Sequence, residues 1–175
     1  MRGHILLSHG SDSGPDATKV SALAALAESL GWSTERPDYR QDDLNGHAGS
    51  VQPRLERLRA AMDAHKAPVV LVGSSMGAFV SGLASLDRPV AGLFLLATPS
   101  AIPGVSQAFD LRAGVPTVFI HGWRDDICPL DALYPVIRRQ RLPLLTLDDD
   151  HRLSDSVDHI ASEFRFFLEK LAVAA

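Results

Sequence analysis

This chain of 175 residues has a single cysteine, Cys128, which excludes an internal disulfide, a thiolate metal cluster and a CxxC redox pair. A reducing compartment, the cytoplasm, is the expected location. An excess of basic residues is also missing. Against 21 Asp and Glu stand 17 Lys and Arg, a net charge of −4, without the cationic footprint that nucleic acid demands. The amino terminus offers only Ile5-Leu6-Leu7 as an apolar run, too short for a secretion signal. Ala67 to Leu86 is uncharged for 20 residues, yet Gly73, Gly77, Gly82 and four serines interrupt it. Its order is strand, turn and helix, so no membrane span is expected. No GxGxxG follows the first strand and no GxxxxGK[ST] occurs anywhere. Linkers, repeats and low-complexity segments are absent, and the length suits one domain, residues 1–175.

What is present is alternation of strand and helix. Ile5-Leu6-Leu7 predicts a buried strand, and Val20 to Leu30 carries apolar residues at helical spacing, stopped by Gly31. Trp32 to Glu35 reads as an outer strand, Gln41 to Ser50 as a polar loop, and Val51 to His65 as a helix. In that helix Arg54, Arg57 and Arg59 are expected largely toward solvent. Val69-Val70-Leu71-Val72 is the clearest strand, branched and unalternating, as in parallel sheets covered on both faces. Helix follows at Met76 to Leu86, strand at Val90 to Leu96, and strand again at Val115 to Ile120. Leu130 to Arg139 is a short helix with Pro135 as a kink or boundary. Leu142 to Leu147 is a last strand, and Asp155 to Leu171 an amphipathic closing helix. Repeated strand–helix units predict an α/β fold, a mostly parallel sheet with helices on both faces.

In such sheets the chemistry sits beyond the carboxyl ends of the strands, and three of those ends carry reactive residue types. Gly73-Ser74-Ser75-Met76-Gly77 joins the clearest strand to a helix and fits G-x-S-x-G, which places Ser75 on a sharp turn as a nucleophile. The second loop, His121 to Pro129, holds Asp125 and Asp126; Asp125 is the preferred acid and Asp126 its alternative. The third, Asp148 to Leu153, holds His151 as the base. The chain order Ser75, Asp125 or Asp126, His151 is that of an α/β-hydrolase triad. The Met76 amide is one expected oxyanion donor, and the Ser11 amide in the first loop is the other.

Each of these residues also has a plainer reading. Ser75 as a mere helix cap leaves the order of the three loops to coincidence. Asp148-Asp149-Asp150 fits a solvated turn better than a cation site, so no metal and no cofactor is expected. His9, Trp123 and Phe109 are candidate substrate contacts. His9 and His121 have the alternative of bonding loop backbone, and Trp123 that of covering the sheet edge. Two rival functions are a binding protein of the same fold, and a phosphate or flavin binder built on Gly10 to Gly14.

At these residues the sequence resembles the α/β-hydrolase superfamily, in particular its small, lidless bacterial esterase-like members. His9-Gly10-Ser11-Asp12-Ser13-Gly14-Pro15 with Lys19 resembles their HGF-x-S-S-P loop. Gly73 to Gly77 resembles the GSSLGG elbow, with Ala78 in place of its last glycine. His121-Gly122 with Asp125 and Pro129 resembles HG-x-x-D-x-x-V-P, with Cys128 in place of the valine. The resemblance spans roughly His4 to Leu168. It implies Ser75 as nucleophile, Asp125 as acid, His151 as base and the Ser11 and Met76 amides as oxyanion hole. It further implies a three-layer α/β/α sandwich of about six strands without a cap domain. The activity expected is hydrolysis of small carboxylic esters through an acyl-enzyme, with thioesterase and amidase as alternatives within the same mechanism, and the oligomeric state is left open between monomer and homodimer.

Overall fold

The run Val69 to Val72 lacks polar alternation because both of its faces are covered. In the computed structural model, which describes residues 2–174, it forms most of β3 (Val69–Ser74), and every residue of that strand is buried. The other strands are β1 (His4–Ser8), β2 (Ser33–Glu35), β4 (Val90–Leu96), β5 (Thr117–Gly122) and β6 (Leu144–Leu147). They build one six-stranded sheet in the order β2-β1-β3-β4-β5-β6, with every neighbouring pair parallel. The helices between them are α1 (Thr18–Ser29), α2 (Arg40–Asp43), α3 (Gly46–Asp63), α4 (Met76–Asp87), α5 (Leu130–Gln140) and α6 (Val157–Ala174).

Successive strand residues point to opposite faces, which divides the core into two layers. Ile5, Leu7, Val72, Phe94 and Ile120 pack against α1 and α6. Leu6, Leu71, Leu93, Leu95 and Phe119 pack against α3, α4 and α5. The result is a three-layer α/β/α sandwich, the minimal form of the α/β-hydrolase fold. Each large apolar side chain removed from water contributes on the order of 2 kcal/mol. After β1 the chain first adds β2 on one side and then returns to add β3 on the other. That reversal opens a crevice beyond the carboxyl ends of β1 and β3, where ligands gather in open α/β sheets.

The segment expected as a polar loop at 41–50 is helical instead. Arg40–Asp43 forms α2, and α3 begins at Gly46 rather than Val51. The acidic side chains hold this segment: Asp42 accepts from Arg57 Nε at 2.7 Å and Asp43 from Arg54 Nε at 2.6 Å. Arg54 therefore departs from the expected solvent face and is buried. Pro135 falls inside α5, which runs through it. Residues 97–116, between β4 and β5, contain no helix or strand and form no cap. Phe109 pins this segment onto α4, its ring filling the notch at Gly82, where a Cβ would lie 2.3 Å from Phe109 Cε2. The same ring meets Phe119 edge-on, with centroids 6.0 Å apart.

Candidate active site

Strand β3 runs into α4 through a turn so tight that only glycine fits on either side of Ser75. A Cβ on Gly73 would lie 2.4 Å from the Gly77 carbonyl oxygen, and one on Gly77 would lie 2.1 Å from that of Ser8. Ser75 itself has φ 53° and ψ −118°, a left-handed conformation that costs a non-glycine residue on the order of 1–3 kcal/mol. Its amide donates to Leu96 O at 2.9 Å, which fixes the turn to β4. The strain turns the hydroxyl away from the sheet and into the crevice.

His151 follows β6, and its Nε2 lies 3.0 Å from Ser75 Oγ. Its Nδ1 donates to Asp125 Oδ2 at 2.9 Å. That bond places the imidazole lone pair on Nε2, where it accepts the Ser75 hydroxyl. Ser75, His151 and Asp125 thus form one hydrogen-bonded chain with the geometry of a Ser-His-Asp triad. Asp126, the alternative acid, is exposed and outside it.

Asp125 is buried, and burial by itself would raise its pKa. The imidazoles of His121 and His151 and the Cys128 amide more than offset this and hold it below the usual carboxylate range. Its Oδ1 accepts from the amides of Ile127 and Cys128 at 3.1 and 2.7 Å. Its Oδ2 receives His121 Nε2 at 3.2 Å as well as His151. His121 also donates from Nε2 to Cys128 O at 2.6 Å, so it bonds loop backbone rather than taking part in proton transfer to the nucleophile. Burial, with the Asp125 charge second, pushes the Cys128 thiol up to about 12. Cys128 therefore packs as a thiol.

The His151 loop is stapled from beneath by Asp149. Its buried carboxylate accepts from the amides of Asp150 and Asp155 and from Ser156 Oγ, at 2.7, 3.1 and 2.8 Å. Burial would raise Asp149, but these bonds depress it below the usual value. Lys19 on α1 donates to Arg152 O and ties the loop from the side. Arg54, Asp149 and Lys19 are the supporting residues that residue-type reasoning missed or left without a role. Arg54 and Lys19 find their partners far along the chain, whereas Asp149 bonds within its own loop, and of the three only Lys19 carried a signal, its place in the HG loop motif.

The crevice is an open cleft of about 770 Å³. Ser11, Ser75, Met76 and His151 line it, together with the apolar Ala101, Ile102 and Ile127 and the polar Ser13, Lys19 and Arg152. The Ser11 amide has no hydrogen-bond partner among the described residues. Met76 opens α4, where the first amides lack an intrahelical acceptor. The expected substrate contacts lie elsewhere. His9 is fully buried; its Nε2 accepts the Tyr39 amide at 3.0 Å and its Nδ1 donates to Gly10 O at 2.7 Å. Phe109 is in the aromatic core. Trp123 is 67% exposed and is not among the residues that line the cleft.

Two groups of His, Cys, Asp or Glu hold potential metal-binding atoms within 4.8 Å of one another: Asp125, Cys128 and His151, and His4, Glu35 and His65. The first is committed to the triad. In the second, at the opposite end of the sheet, His4 and His65 stack with centroids 3.8 Å apart and planes at 22°, so their lone pairs lie in nearly parallel planes, an arrangement unlike the converging ligands of a tetrahedral metal.

The buried groups set how the fold responds to acid. Burial lowers the His9 pKa, and the Asp125 and Asp149 pKa values are also depressed. For every one of them the unfolded chain binds protons first, so stability rises with pH and falls on acidification. The urea midpoint should decline in two stages, below about pH 6.5 for His9 and again below about pH 4 for the carboxylates. Asp149→Asn should flatten the second stage and leave the first. A midpoint constant from pH 7 to 3 would contradict this account.

No protein-family model and no curated protein matches the chain. Solved structures do match. A Xanthomonas campestris pv. campestris protein assigned to the α/β superfamily of hydrolases is 39% identical, with 96% of this chain and 99% of that chain covered and a TM-score of 0.91. Est1E from Butyrivibrio proteoclasticus, also solved with ferulic acid bound, is 16% identical in that complex, at 99% and 90% coverage and a TM-score of 0.80. A second Xanthomonas campestris protein, a serine hydrolase without lid, is 17% identical, at 95% and 81% coverage and a TM-score of 0.70. The latter two establish likeness of fold.

Proposed function

This chain belongs to the α/β-hydrolase superfamily, and we propose that it is a serine hydrolase that cleaves small carboxylic esters or thioesters through a covalent acyl-enzyme. The observation that carries the reading is the continuous Ser75–His151–Asp125 hydrogen-bond chain opening onto the cleft. A serine hydroxyl is a weak nucleophile at neutral pH, so His151 Nε2 takes its proton as Oγ attacks the carbonyl carbon. The imidazolium that forms is stabilised by Asp125. Negative charge gathers on the former carbonyl oxygen, where the Ser11 and Met76 amides donate to it. Each such donor contributes on the order of 3 kcal/mol to the transition state. His151 then protonates the departing alcohol or thiol, and water releases the acyl group by the same steps in reverse.

The uncapped cleft favours small or solvent-accessible esters, with an apolar group against Ala101, Ile102 and Ile127. The HG loop with Lys19, the GSSMG elbow and the HG-x-x-D loop support placement among the small lidless esterase-like members, as one domain. A serine hydrolase without lid and Est1E, solved with ferulic acid bound, stand among the structural neighbours and agree with that reading. The test is covalent labelling by a fluorophosphonate probe, read by intact mass and peptide mapping. One adduct on Ser75, lost in folded Ser75→Ala, is expected. A folded wild-type protein that takes no label would sink the proposal.

A further inference from the structure

We infer that Arg54 is a positioning residue for catalysis: it aims the Ser11 amide at the reacting oxygen by holding the peptide on the opposite side. The inference rests on the serine-hydrolase reading and goes beyond it. Arg54 extends from α3 beneath the first loop and is fully buried, with its guanidinium 4.6 Å from the Tyr39 ring centre. Nε and one terminal nitrogen each donate at 2.6 Å to the two oxygens of Asp43. The other terminal nitrogen donates to His9 O at 2.8 Å, and the first donates again to Gly10 O at 3.1 Å. A buried arginine is costly unless its donors are matched, and here Nε and both terminal nitrogens are engaged.

The matched acceptors explain what the arrangement does. Gly10 O receives three donors: His9 Nδ1 at 2.7 Å, Ser13 Oγ at 2.9 Å and Arg54 at 3.1 Å. Across a planar trans peptide, a carbonyl and the next residue's N–H point in opposite directions. Fixing Gly10 O toward Arg54 therefore turns the Ser11 N–H away from Arg54, toward the cleft that Ser11 lines. Gly10 also passes close to the nucleophile, since a Cβ there would lie 3.4 Å from Ser75 Cβ. Asp43 fixes the orientation of the guanidinium from the other side through its two bonds. Lysine, a compact charge on one stem, cannot span Asp43 and two carbonyls together.

The test is Arg54→Lys, assayed with p-nitrophenyl acetate and with an aryl boronic acid whose adduct on Ser75 places an oxygen between the amides. Protein with wild-type near-ultraviolet circular dichroism should lose roughly 10²-fold in kcat, the scale expected when a reacting group is misplaced by about 1 Å. KM and the pH inflection of kcat/KM should stay put, and boronate affinity should fall with kcat. A purely structural arginine would not split the readouts this way. Wild-type kcat, or lost kcat with boronate affinity intact, overturns the assignment. If Arg54→Lys does not fold, Asp43→Asn is read by the same criteria, with a smaller loss of the same kind expected. Fluorophosphonate labelling of the wild type separates the two claims. An unlabelled wild type removes the hydrolase reading, whereas a labelled one with unaffected variants removes only the role of Arg54.

Discussion

His151→Ala should lower kcat for an activated aryl ester by on the order of 10⁵-fold or more while leaving the protein folded. Half of that outcome is chemical. Ser75 Oγ sits 3.0 Å from a single base, and among the described residues no second imidazole lines the cleft beside it except His47, which lies on α3. Without Nε2 the hydroxyl has nowhere to send its proton, and the leaving group has no acid. The other half is structural. His151 is only partly buried, and its loop is held by Asp149, Lys19 and backbone bonds rather than by the ring. Truncation at Cβ thus removes chemistry and little packing. The measurement is kcat and KM alongside the urea midpoint. A loss below about tenfold, with midpoint unchanged, would mean that another group serves as base.

Asp125→Asn should cost about 10⁴-fold in kcat, although it changes the side chain by a single heavy atom. Oδ1 accepts two backbone amides, from Ile127 and Cys128, so the substituted amide must keep its carbonyl there. Its NH₂ then faces His151, where Oδ2 used to accept from Nδ1. The imidazole has to present a lone pair at Nδ1 and carry its hydrogen on Nε2, the tautomer that cannot accept from Ser75. His121 falls back on Cys128 O, already its shorter bond at 2.6 Å. The loop should survive and the base should be reversed. Crystallography or imidazole NMR of the variant would read the tautomer directly, and a near-wild-type kcat would refute the argument.

The reacting groups were legible in the sequence because each is announced locally. Gly73 and Gly77 are written into the chain by close approaches within one turn and to the neighbouring strand. The acid and base follow strands in an order few folds require. Asp125 over Asp126 was legible as a preference, and the structure separates them by which carboxylate turns back under the loop to meet its own Ile127 and Cys128 amides. The supporting layer was not legible. Arg54 lies 45 residues from the carbonyl it holds, and an arginine on an amphipathic helix ordinarily reads as solvated. The helical character of 40–50 depends on Asp42 and Asp43 meeting arginines a turn or more into the next helix. His9 and Phe109 were misplaced for one reason: residue type signals that a ring will be useful, but not whether it faces the cleft or the core. His9 is consumed by Tyr39 and Gly10, and Phe109 by the space above Gly82.

The nucleophile and the base stand on very different ground within the sheet. Ser75 follows β3, a central strand buried throughout, whereas His151 follows β6, an edge strand of four residues, each only half-buried and paired on one side. Free energies of local opening grade from near zero at frayed edges to the full value in the core. β6 should therefore open at a lower free energy than β3, carrying His151 away while Ser75 keeps its strained turn. Such a molecule stays compact and unreactive, then recovers as the edge strand zips back onto β5. On mild destabilisation activity should thus be lost before the fold as a whole unfolds, through a sub-global equilibrium at one border of the sheet.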